Sequence, residues 1–180
     1  MPIIKKIVEI FTEQGGSSYV GEPVTQLEHA IQAALAARRH QARPEMVAAA
    51  LLHDIGHFLH HYSEDCADFA IDSEHEKAGE AFLREHFKEE VAELVRHHVN
   101  AKRYLTATNE KYANNLTGAS FKSLQLQGGP MQPHEVEEFE AHPLFQDILL
   151  LRRWDEGAKI PNKTLPPITD FLSELKMVLR

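Results

Sequence analysis

The stretch MVAAALLHDIGH, residues Met46–His57, decides the fold of this chain. Up to Leu52 it is apolar almost all round, a pattern that indicates a helix at the centre of a domain. Pro44 opens that helix, which we expect over residues 45–60. The HDIGH half then places imidazoles and a carboxylate at the end of a buried helix, where ionised groups need partners. Because a carboxylate has two oxygens and can bridge two cations, this motif predicts a metal centre.

Helical patterns continue on both sides of this stretch, whereas the alternating β-branched patterns typical of strands are missing from the sequence. Nine helices are predicted. Six of them cover residues 2–14, 45–60, 88–103, 117–126, 143–156 and 168–179. The other three run from Pro23 to about Arg39, from a capping box at Ser73–Glu76 to about His86, and onward from Pro133. Residues 62–72 are expected to form an acidic loop, and 106–115 an irregular segment. We therefore expect one all-α domain over residues 1–180.

Composition narrows the kinds of partner and site. The 180 residues carry a net charge of −8, which argues against a nucleic-acid partner because a phosphate backbone needs a basic surface. One cysteine against 12 histidines excludes a cysteine-rich zinc site and an internal disulfide, and it suits the reducing cytoplasm. No apolar run reaches membrane-spanning length, so we expect no membrane partner. Histidine and carboxylate ligands suit iron, manganese or zinc.

Six side chains form the predicted ligand set for such metals. They lie at wide spacing along the chain: His29, His53, Asp54, His75, His98 and Asp155. Taken singly, each histidine outside the HDIGH motif could equally be a solvated or hydrogen-bonded residue. The motif favours metal ligation for the whole set, because charge at the end of an apolar helix requires compensation. His57, four residues after His53, could be a further ligand or a supporting group.

The order of His29, then His53 and Asp54, then Asp155 resembles the signature of the HD-domain superfamily, most of whose members are metal-dependent phosphohydrolases. The additional His75 and His98 resemble the mixed-valent diiron oxygenases of that superfamily. A closer resemblance, to the oxygenases that cleave 1-hydroxy-2-aminoethylphosphonate and its trimethylammonium relative, rests on local motifs over residues 19–156. These motifs are Tyr19–Glu22, His98–Lys102, Ser120 and Ser123 with Gln127–Met131, and Arg152–Asp155.

This resemblance implies a reaction and a role for each candidate residue. Two iron ions, an Fe(II)/Fe(III) pair, would use dioxygen to cleave the carbon–phosphorus bond of a small 1-hydroxy-2-(amino or trimethylammonio)ethylphosphonate, giving phosphate and glycine or glycine betaine. One iron would be bound by His29, His53 and Asp155, the other by His75 and His98, with Asp54 as the bridge. The phosphonate would be bound by Lys102, Ser120, Ser123 and Arg152. Tyr19 would cover the oxygen site, Glu22 would contact the amine, and His57 would lie near the substrate.

The residues themselves agree with an anionic substrate. Lys102 lies one helical turn after His98, and Arg152 lies three residues before Asp155 on one helical face, so both cations can reach the space beside the metals. Two other classes stay open. An HD phosphohydrolase would use the same metals to activate water against a small phosphate ester, and a metal-stabilised helical module would bind metal without catalysis. A neutral polyol substrate, as in myo-inositol oxygenase, is less favoured because it needs no such cations.

Overall fold

The structure, a computed structural model, describes residues 2–19, 21–59 and 74–180, and the regular elements within these ranges are helical. The α-helices are α1 Pro2–Gln14, α2 Gln26–Arg39, α3 Pro44–Leu52, α4 His75–Arg84, α5 Glu89–Thr108, α6 Glu110–Asn114, α7 Gly118–Leu126, α8 Pro133–Glu140, α9 Phe145–Glu156 and α10 Leu172–Met177, with 3₁₀ turns at Ile55–Phe58 and Ile168–Phe171. In the described part of the chain, β-type pairing is confined to isolated bridges. The predicted all-α fold class is confirmed. The loop predicted at 62–72 lies outside the described residues.

Helix α3 is the centre of the fold, as its apolar sequence predicts. All residues of Met46–Leu52 are buried, and the helix packs against α2, α5, α9 and α10. Burial of apolar surface contributes about 25 cal/mol per Å², so an enclosed helix of this kind anchors the helices around it. Helix α4 packs on α5 and on the turn Ile55–Phe58, and it therefore begins close to the point where α3 ends.

Helix α3 ends earlier than the sequence predicts. Its last residue is Leu52, His53 is its C-cap, and the chain turns through Asp54 into the 3₁₀ turn Ile55–Phe58. The expected continuous helix over 45–60 is therefore wrong beyond Leu52. Adjacent residues of an α-helix point about 100° apart, and the break frees His53 and Asp54 from that constraint, so that both side chains reach one centre.

The starts of α2 and α4 also differ from expectation. Helix α2 begins at Gln26 and not at Pro23, because Thr25 forms a capping box with Glu28: Glu28 N donates to Thr25 Oγ1 at 3.1 Å, and Thr25 N donates to Glu28 Oε2 at 2.8 Å. Helix α4 begins at His75 after Glu74, which adopts a left-handed conformation with φ 45° and occupies the N-cap position. The predicted cap, Ser73, lies outside the described residues.

The predicted irregular segment 106–115 is helical in the structure. Helix α5 continues to Thr108 and α6 follows after one residue. Thr106 Oγ1 donates to Lys102 O at 2.7 Å and Thr108 Oγ1 donates to Tyr104 O at 2.9 Å, so both hydroxyls are satisfied within the helix. Although α5 has 20 residues, neither it nor any other helix in the described ranges is apolar enough over a sufficient length to cross a membrane.

Candidate metal centre

Six polar side chains meet in the interior, where five parts of the fold converge. They are His29 from α2, His53 and Asp54 from the end of α3, His75 from the first turn of α4, His98 from α5 and Asp155 from α9. None of them is more than 7% exposed. Polar and ionised side chains are rarely this buried unless they are paired or bind a metal. The structure therefore brings together all six ligands that the sequence predicts.

The first ligand group consists of His29, His53 and Asp155. The Nε2 atoms of His29 and His53 lie 3.0 Å apart. Asp155 Oδ1 is 3.3 Å from His29 Nε2 and 3.8 Å from His53 Nε2. Asp54 Oδ2 approaches the same two nitrogens, at 3.6 Å from His29 and 3.3 Å from His53. Four donor atoms therefore surround one point.

The second ligand group consists of His75, His98 and Asp54. The Nε2 atoms of His75 and His98 lie 3.1 Å apart. Asp54 Oδ1 is 3.3 Å from His75 Nε2 and 3.4 Å from His98 Nε2. The two oxygens of the Asp54 carboxylate thus face different ligand groups, which is the arrangement of a carboxylate that bridges two metal ions.

Backbone carbonyls orient three of these histidines. In each case Nδ1 donates to a carbonyl oxygen: His29 to Ala158 at 3.0 Å, His53 to Ala50 at 2.9 Å and His98 to Val95 at 2.7 Å. Since a carbonyl can only accept, the hydrogen of the neutral ring is on Nδ1 and the lone pair is on Nε2. Metal-binding histidines use the same arrangement to point Nε2 at the ion.

The donor atoms fit two metal ions. Two nitrogens that bind one ion at about 2.1 Å and at a right angle lie about 3.0 Å apart, close to the Nε2 separations of 3.0 and 3.1 Å in the two groups. When both rings of a group are neutral, their facing lone pairs repel one another at that distance unless a cation lies between them. In addition, Asp54 Oδ2 and Asp155 Oδ1 are buried without a hydrogen-bond partner among the described residues. Metal ions would satisfy all of these atoms.

The electrostatics of the centre favour cations. Burial would raise the pKa of the Asp54 carboxyl, but His53 and the other histidines around it hold that pKa well below its usual range. Burial likewise opposes ionisation of Asp155, and Arg152 and His29 hold its pKa well below the usual value. For His53, burial disfavours the charged ring, but Asp54 and Asp155 outweigh it and raise the pKa to about 9. The carboxylates therefore stay ionised and attract positive charge.

Two aromatic side chains stack on the ligand histidines. The ring of Tyr19 lies against His29, with centroids 3.8 Å apart and planes 13° from parallel. Burial and the nearby negative charges of Asp54 and Asp155 raise the pKa of Tyr19. His57 stacks on His75 at 4.0 Å and 15°. Tyr19 therefore lies on the first ligand group and His57 on the second, and each contacts a predicted ligand directly.

Lys102 supplies a buried positive charge beside the centre. It is 4% exposed, and its Nζ donates to Ser123 Oγ at 2.9 Å. Among the described residues, no carboxylate lies within ion-pair distance of this ammonium. Burial and the nearby Arg152 lower the pKa of Lys102 to about 7. A buried lysine without an anionic partner is the group that an anionic ligand would stabilise.

Arg152 is engaged in a different way from Lys102. Its Nη1 donates to Asp155 Oδ2 at 2.6 Å, its Nε donates to Tyr112 Oη at 3.0 Å, and its Nη2 pairs with Glu156. All three nitrogens of the guanidinium therefore have protein partners. The structure places Arg152 behind Asp155, where it leaves Oδ1 for the first ligand group. Its charge still acts on Lys102 and on any anion bound there.

The remaining predicted residues meet at Lys159, which sequence reasoning missed. Lys159 Nζ lies 3.2 Å from Glu22 Oε1 and 3.2 Å from Ser120 Oγ. The only sequence signal was its position four residues after Asp155, the same interval that separates Lys102 from His98. Because α9 ends at Glu156, Lys159 lies beyond the helix, and the interval does not place it on the same helical face as Asp155. The contacts of Lys159 with Glu22 and Ser120 are visible only in the packed structure.

A third cluster of possible ligands lies outside this centre, at Glu93, His97 and His142. Leu144 N donates to His142 Nδ1 at 3.1 Å, so the hydrogen of the neutral His142 ring is on Nε2. That nitrogen faces Glu93 Oε2 at 3.8 Å and carries a hydrogen, so it offers no lone pair to a metal. The cluster is therefore best described as a polar contact between α5 and the segment that precedes α9.

Comparison with known proteins agrees with the geometry. The HD domain family matches residues 27–136, which include five of the six predicted ligands. The chain is 42% identical to the glycine-betaine-forming 1-hydroxy-2-(trimethylamino)ethylphosphonate dioxygenase of Leisingera caerulea, over 94% of this chain and 86% of that protein. It is also 42% identical to a hydroxymethylphosphonate dioxygenase of Gimesia maris, over 98% of this chain and 88% of that protein.

Proposed function

The chain belongs to the HD-domain family, within its phosphonate oxygenase group, and from this premise we propose that it is a metal-dependent dioxygenase that cleaves the carbon–phosphorus bond of a small 1-hydroxyphosphonate. Both relatives are named as phosphonate dioxygenases, which supports this reaction. The chain also covers most of the length of each relative, so the similarity is not confined to one motif. The substrate of the chain is a phosphonate small enough to lie between the ligand groups and Lys102.

The observation that carries the proposal is the orientation of Asp54. Its Oδ2 faces His53 Nε2 at 3.3 Å, and its Oδ1 faces His75 Nε2 at 3.3 Å. A single carboxylate directed at two sets of histidines is suited to a pair of metal ions held at a fixed separation. A mononuclear site would leave one of the two Asp54 oxygens, and the histidines that face it, without a metal ion to bind.

The metals we propose are two iron ions, used as an Fe(II)/Fe(III) pair. His29, His53 and Asp155 would hold one and His75 and His98 the other, with Asp54 between them; nitrogen and oxygen donors of this kind suit iron. When bound, such a pair supplies Lewis-acid polarisation of the substrate and the redox capacity to use dioxygen. The second ligand group has fewer protein donors among the described residues than the first, and it is the one we expect to accept substrate oxygens.

The protein's own contribution is to bind the phosphonate and orient it. Lys102 and Ser123 form a donor pair 2.9 Å apart, and Ser120 lies on the same helix as Ser123. Charge-assisted hydrogen bonds to an anionic oxygen are stronger than neutral ones, so these side chains would fix the phosphonate end. Its carbon end would then point at the ligand groups. Arg152 would hold Asp155 in place and add positive charge to the pocket.

Tyr19 and His57 would control access to the centre. Tyr19 stacks on His29 and lies close enough to Asp54 and Asp155 for their charges to act on its phenol, so it lies beside the first ligand group. We propose that it shields the centre until substrate binds, which would limit oxidation in the absence of substrate. His57, stacked on His75, would keep that ligand oriented and border the substrate.

The proposed reaction balances without an outside reductant. One dioxygen and one 1-hydroxyphosphonate give one carboxylic acid and one phosphate; a carbon–hydrogen bond and the carbon–phosphorus bond break, and both oxygen atoms of dioxygen end in the products. The substrate carbon supplies all four electrons that dioxygen accepts. This stoichiometry distinguishes the proposal from hydrolysis, which consumes water and leaves oxygen untouched.

The experiment that tests the function follows oxygen and phosphate together. Iron-loaded protein is mixed with hydroxymethylphosphonate or 1-hydroxy-2-(trimethylamino)ethylphosphonate, and oxygen uptake and phosphate release are recorded, aerobically and anaerobically. We expect equal amounts of the two and no phosphate without oxygen. Electron paramagnetic resonance of partly oxidised protein should show a coupled S = 1/2 signal that substrate perturbs. Release of phosphate from an ester with Mn²⁺ or Mg²⁺ in the absence of oxygen would instead establish a phosphohydrolase.

We also propose that residues 1–180 form one HD domain that works in the cytoplasm. The described ends of the chain support a single domain, since α1 packs on α2 and α10, and α10 packs on the central α3. The lone cysteine of the sequence suits a reducing compartment.

A further inference from the structure

Lys159 lies beside Ser120, one of the proposed phosphonate-binding residues, with its ammonium group already paired. Its side chain is 12% exposed, and Nζ is 3.2 Å from Glu22 Oε1 and 3.6 Å from Glu156 Oε2. The neighbouring Ala158 accepts the Nδ1 hydrogen of His29 through its backbone oxygen at 3.0 Å. The backbone that carries Lys159 is therefore tied to a ligand of the metal centre, and this lysine is not a free surface residue.

The two carboxylates on this side of the pocket are both neutralised by the protein. Glu22 Oε1 accepts from Thr117 Oγ1 at 2.8 Å in addition to pairing with Lys159. Glu156 pairs with Arg152 and accepts from Tyr112 Oη at 2.9 Å. A cationic group on a substrate would therefore find both carboxylates occupied.

The surroundings of Lys102 have an excess of positive charge. Lys102 has a hydroxyl partner in Ser123, and the positive charges of Arg152 and Lys159 both act against its own. The pocket is thus arranged to receive an anion at Lys102, while the Glu22 side is already balanced by a cation that belongs to the protein. An additional substrate ammonium near Lys159 would meet like charge, which disfavours binding.

We propose that Lys159 determines substrate specificity: by pairing with Glu22 it occupies the place where a substrate cation would bind, so that the enzyme selects a small 1-hydroxyphosphonate without a cationic group, such as hydroxymethylphosphonate, over the amino and trimethylammonio derivatives. This inference rests on the proposed function. Lys159 acts on selection and not on the reacting atoms, since its ammonium is held by Glu22, Glu156 and Ser120.

The test uses Lys159→Met in the full-length, iron-loaded protein. Anaerobic calorimetry gives the dissociation constants of hydroxymethylphosphonate and 1-hydroxy-2-aminoethylphosphonate, and kcat and KM are measured for both. We expect the parent to prefer hydroxymethylphosphonate by about tenfold or more, the scale of one adverse charge contact. In Lys159→Met that preference should shrink or invert, through dissociation constant and KM, because Glu22 is released to bind the amine.

Matched variants separate the possible outcomes. The double variant Glu22→Gln with Lys159→Met should lose the gained affinity for the amino substrate, and Lys176→Met, which removes an exposed lysine of α10, should behave as the parent. Iron content and thermal unfolding check that each variant is folded; Lys159→Gln serves if the methionine variant is not. An unchanged substrate ratio in Lys159→Met, or a parent that prefers the amino substrate, overturns the inference while leaving the function intact. Failure of the parent to release phosphate from either substrate overturns the function itself.

Discussion

Gly56 lies so close to the backbone of His75 that a Cβ on residue 56 would stand 1.8 Å from the His75 carbonyl oxygen and 3.0 Å from Gly79 N. Real Cβ atoms do not approach backbone atoms this closely, so the glycine of the HDIGH motif is required by packing. The contact presses the first turn of α4 against the end of α3. It thereby brings His75 to the second ligand group without itself touching a ligand atom of the centre.

Gly56→Ala should therefore displace His75 and weaken the second metal position. Overpacking a tightly packed interior costs about 1–3 kcal/mol, so we also expect a lower free energy of unfolding. The measurement is iron content per chain after reconstitution, together with thermal unfolding. Gly16→Ala is the control, since nothing lies within 4 Å of a Cβ at that position. Full iron content in Gly56→Ala would show that the close approach is not needed to place the ligand.

Asp54→Ala should lose both metal ions and all activity. Asp54 is the only described carboxylate whose oxygens face both ligand groups, so its removal takes one donor from each and leaves the histidines of both groups without their shared anion. Metal analysis of the purified protein checks this, with Asp170→Ala, an exposed carboxylate, as the reference. If the variant retained two irons per chain, the dinuclear assignment would have to be abandoned.

Arg152→Met should weaken the first metal position and destabilise the fold. Its Nη1 donates to Asp155 Oδ2 at 2.6 Å, and removal of one partner of a buried pair costs about 3–5 kcal/mol because the other charge is left unpaired. Chemical denaturation and iron content measure the two effects. The neighbouring Arg153 is exposed, and Arg153→Met should change neither quantity. Equal stability of both variants would mean that Arg152 does not position Asp155.

Substrate affinity should depend on the charge of Lys102. Its pKa is about 7, so the ammonium is present below that pH and is lost as the pH rises through it. A bound phosphonate favours the charged form and raises the pKa, so binding above pH 7 requires uptake of a proton. We expect the dissociation constant to rise by about tenfold per pH unit above 7, with proton uptake visible by calorimetry in buffers of different ionisation enthalpy.

Lys102→Met should remove this pH dependence and weaken phosphonate binding by about ten- to a hundredfold, the scale of a lost hydrogen bond to a charged group. Iron content should stay at the parental value, because Lys102 contacts Ser123 and not a ligand. Lys111→Met, at an exposed position, is the matched control. An unaltered affinity in Lys102→Met would make this lysine a structural residue and not a substrate contact.

Tyr19→Phe should open the centre to oxygen. The stacked ring would remain on His29, but the phenol oxygen beside Asp54 and Asp155 would be lost. In the oxidised parent we expect iron to displace the phenol proton of Tyr19 and bind its oxygen, which gives a tyrosinate-to-iron charge-transfer band that fades when substrate binds. The variant should lack the band and oxidise faster in air without substrate, whereas Tyr104→Phe, whose hydroxyl donates to Glu140, should not. Identical spectra and oxidation rates in Tyr19→Phe and the parent would leave Tyr19 as a packing residue.

Much of this protein follows from local features of its sequence. The apolar run Met46–Leu52 requires burial on all sides, and that requirement alone makes α3 the central helix. The HDIGH motif, three distant histidines and one distant carboxylate predict the ligand set, because buried ionisable groups need a cation. Family membership, which rests on the same residues, is confirmed by the comparisons. These predictions succeed because each depends on the type of a residue or on residues adjacent to it in the sequence, and not on contacts between distant parts of the chain.

Other features were decided only by the tertiary structure. The end of α3 at Leu52, the left-handed Glu74 before α4 and the helical Thr106–Asn114 region depend on how neighbouring helices pack. The partners of Arg152 and the pairing of Lys159 with Glu22 could not be predicted, because a charge selects its partner by distance in space, and Glu22 and Lys159 are joined only after α2 and α9 have packed together. The sequence determined the helices and the candidate metal ligands, whereas packing decided which carboxylate oxygens are left free to face a cation, because only packing sets distances between residues far apart in the chain.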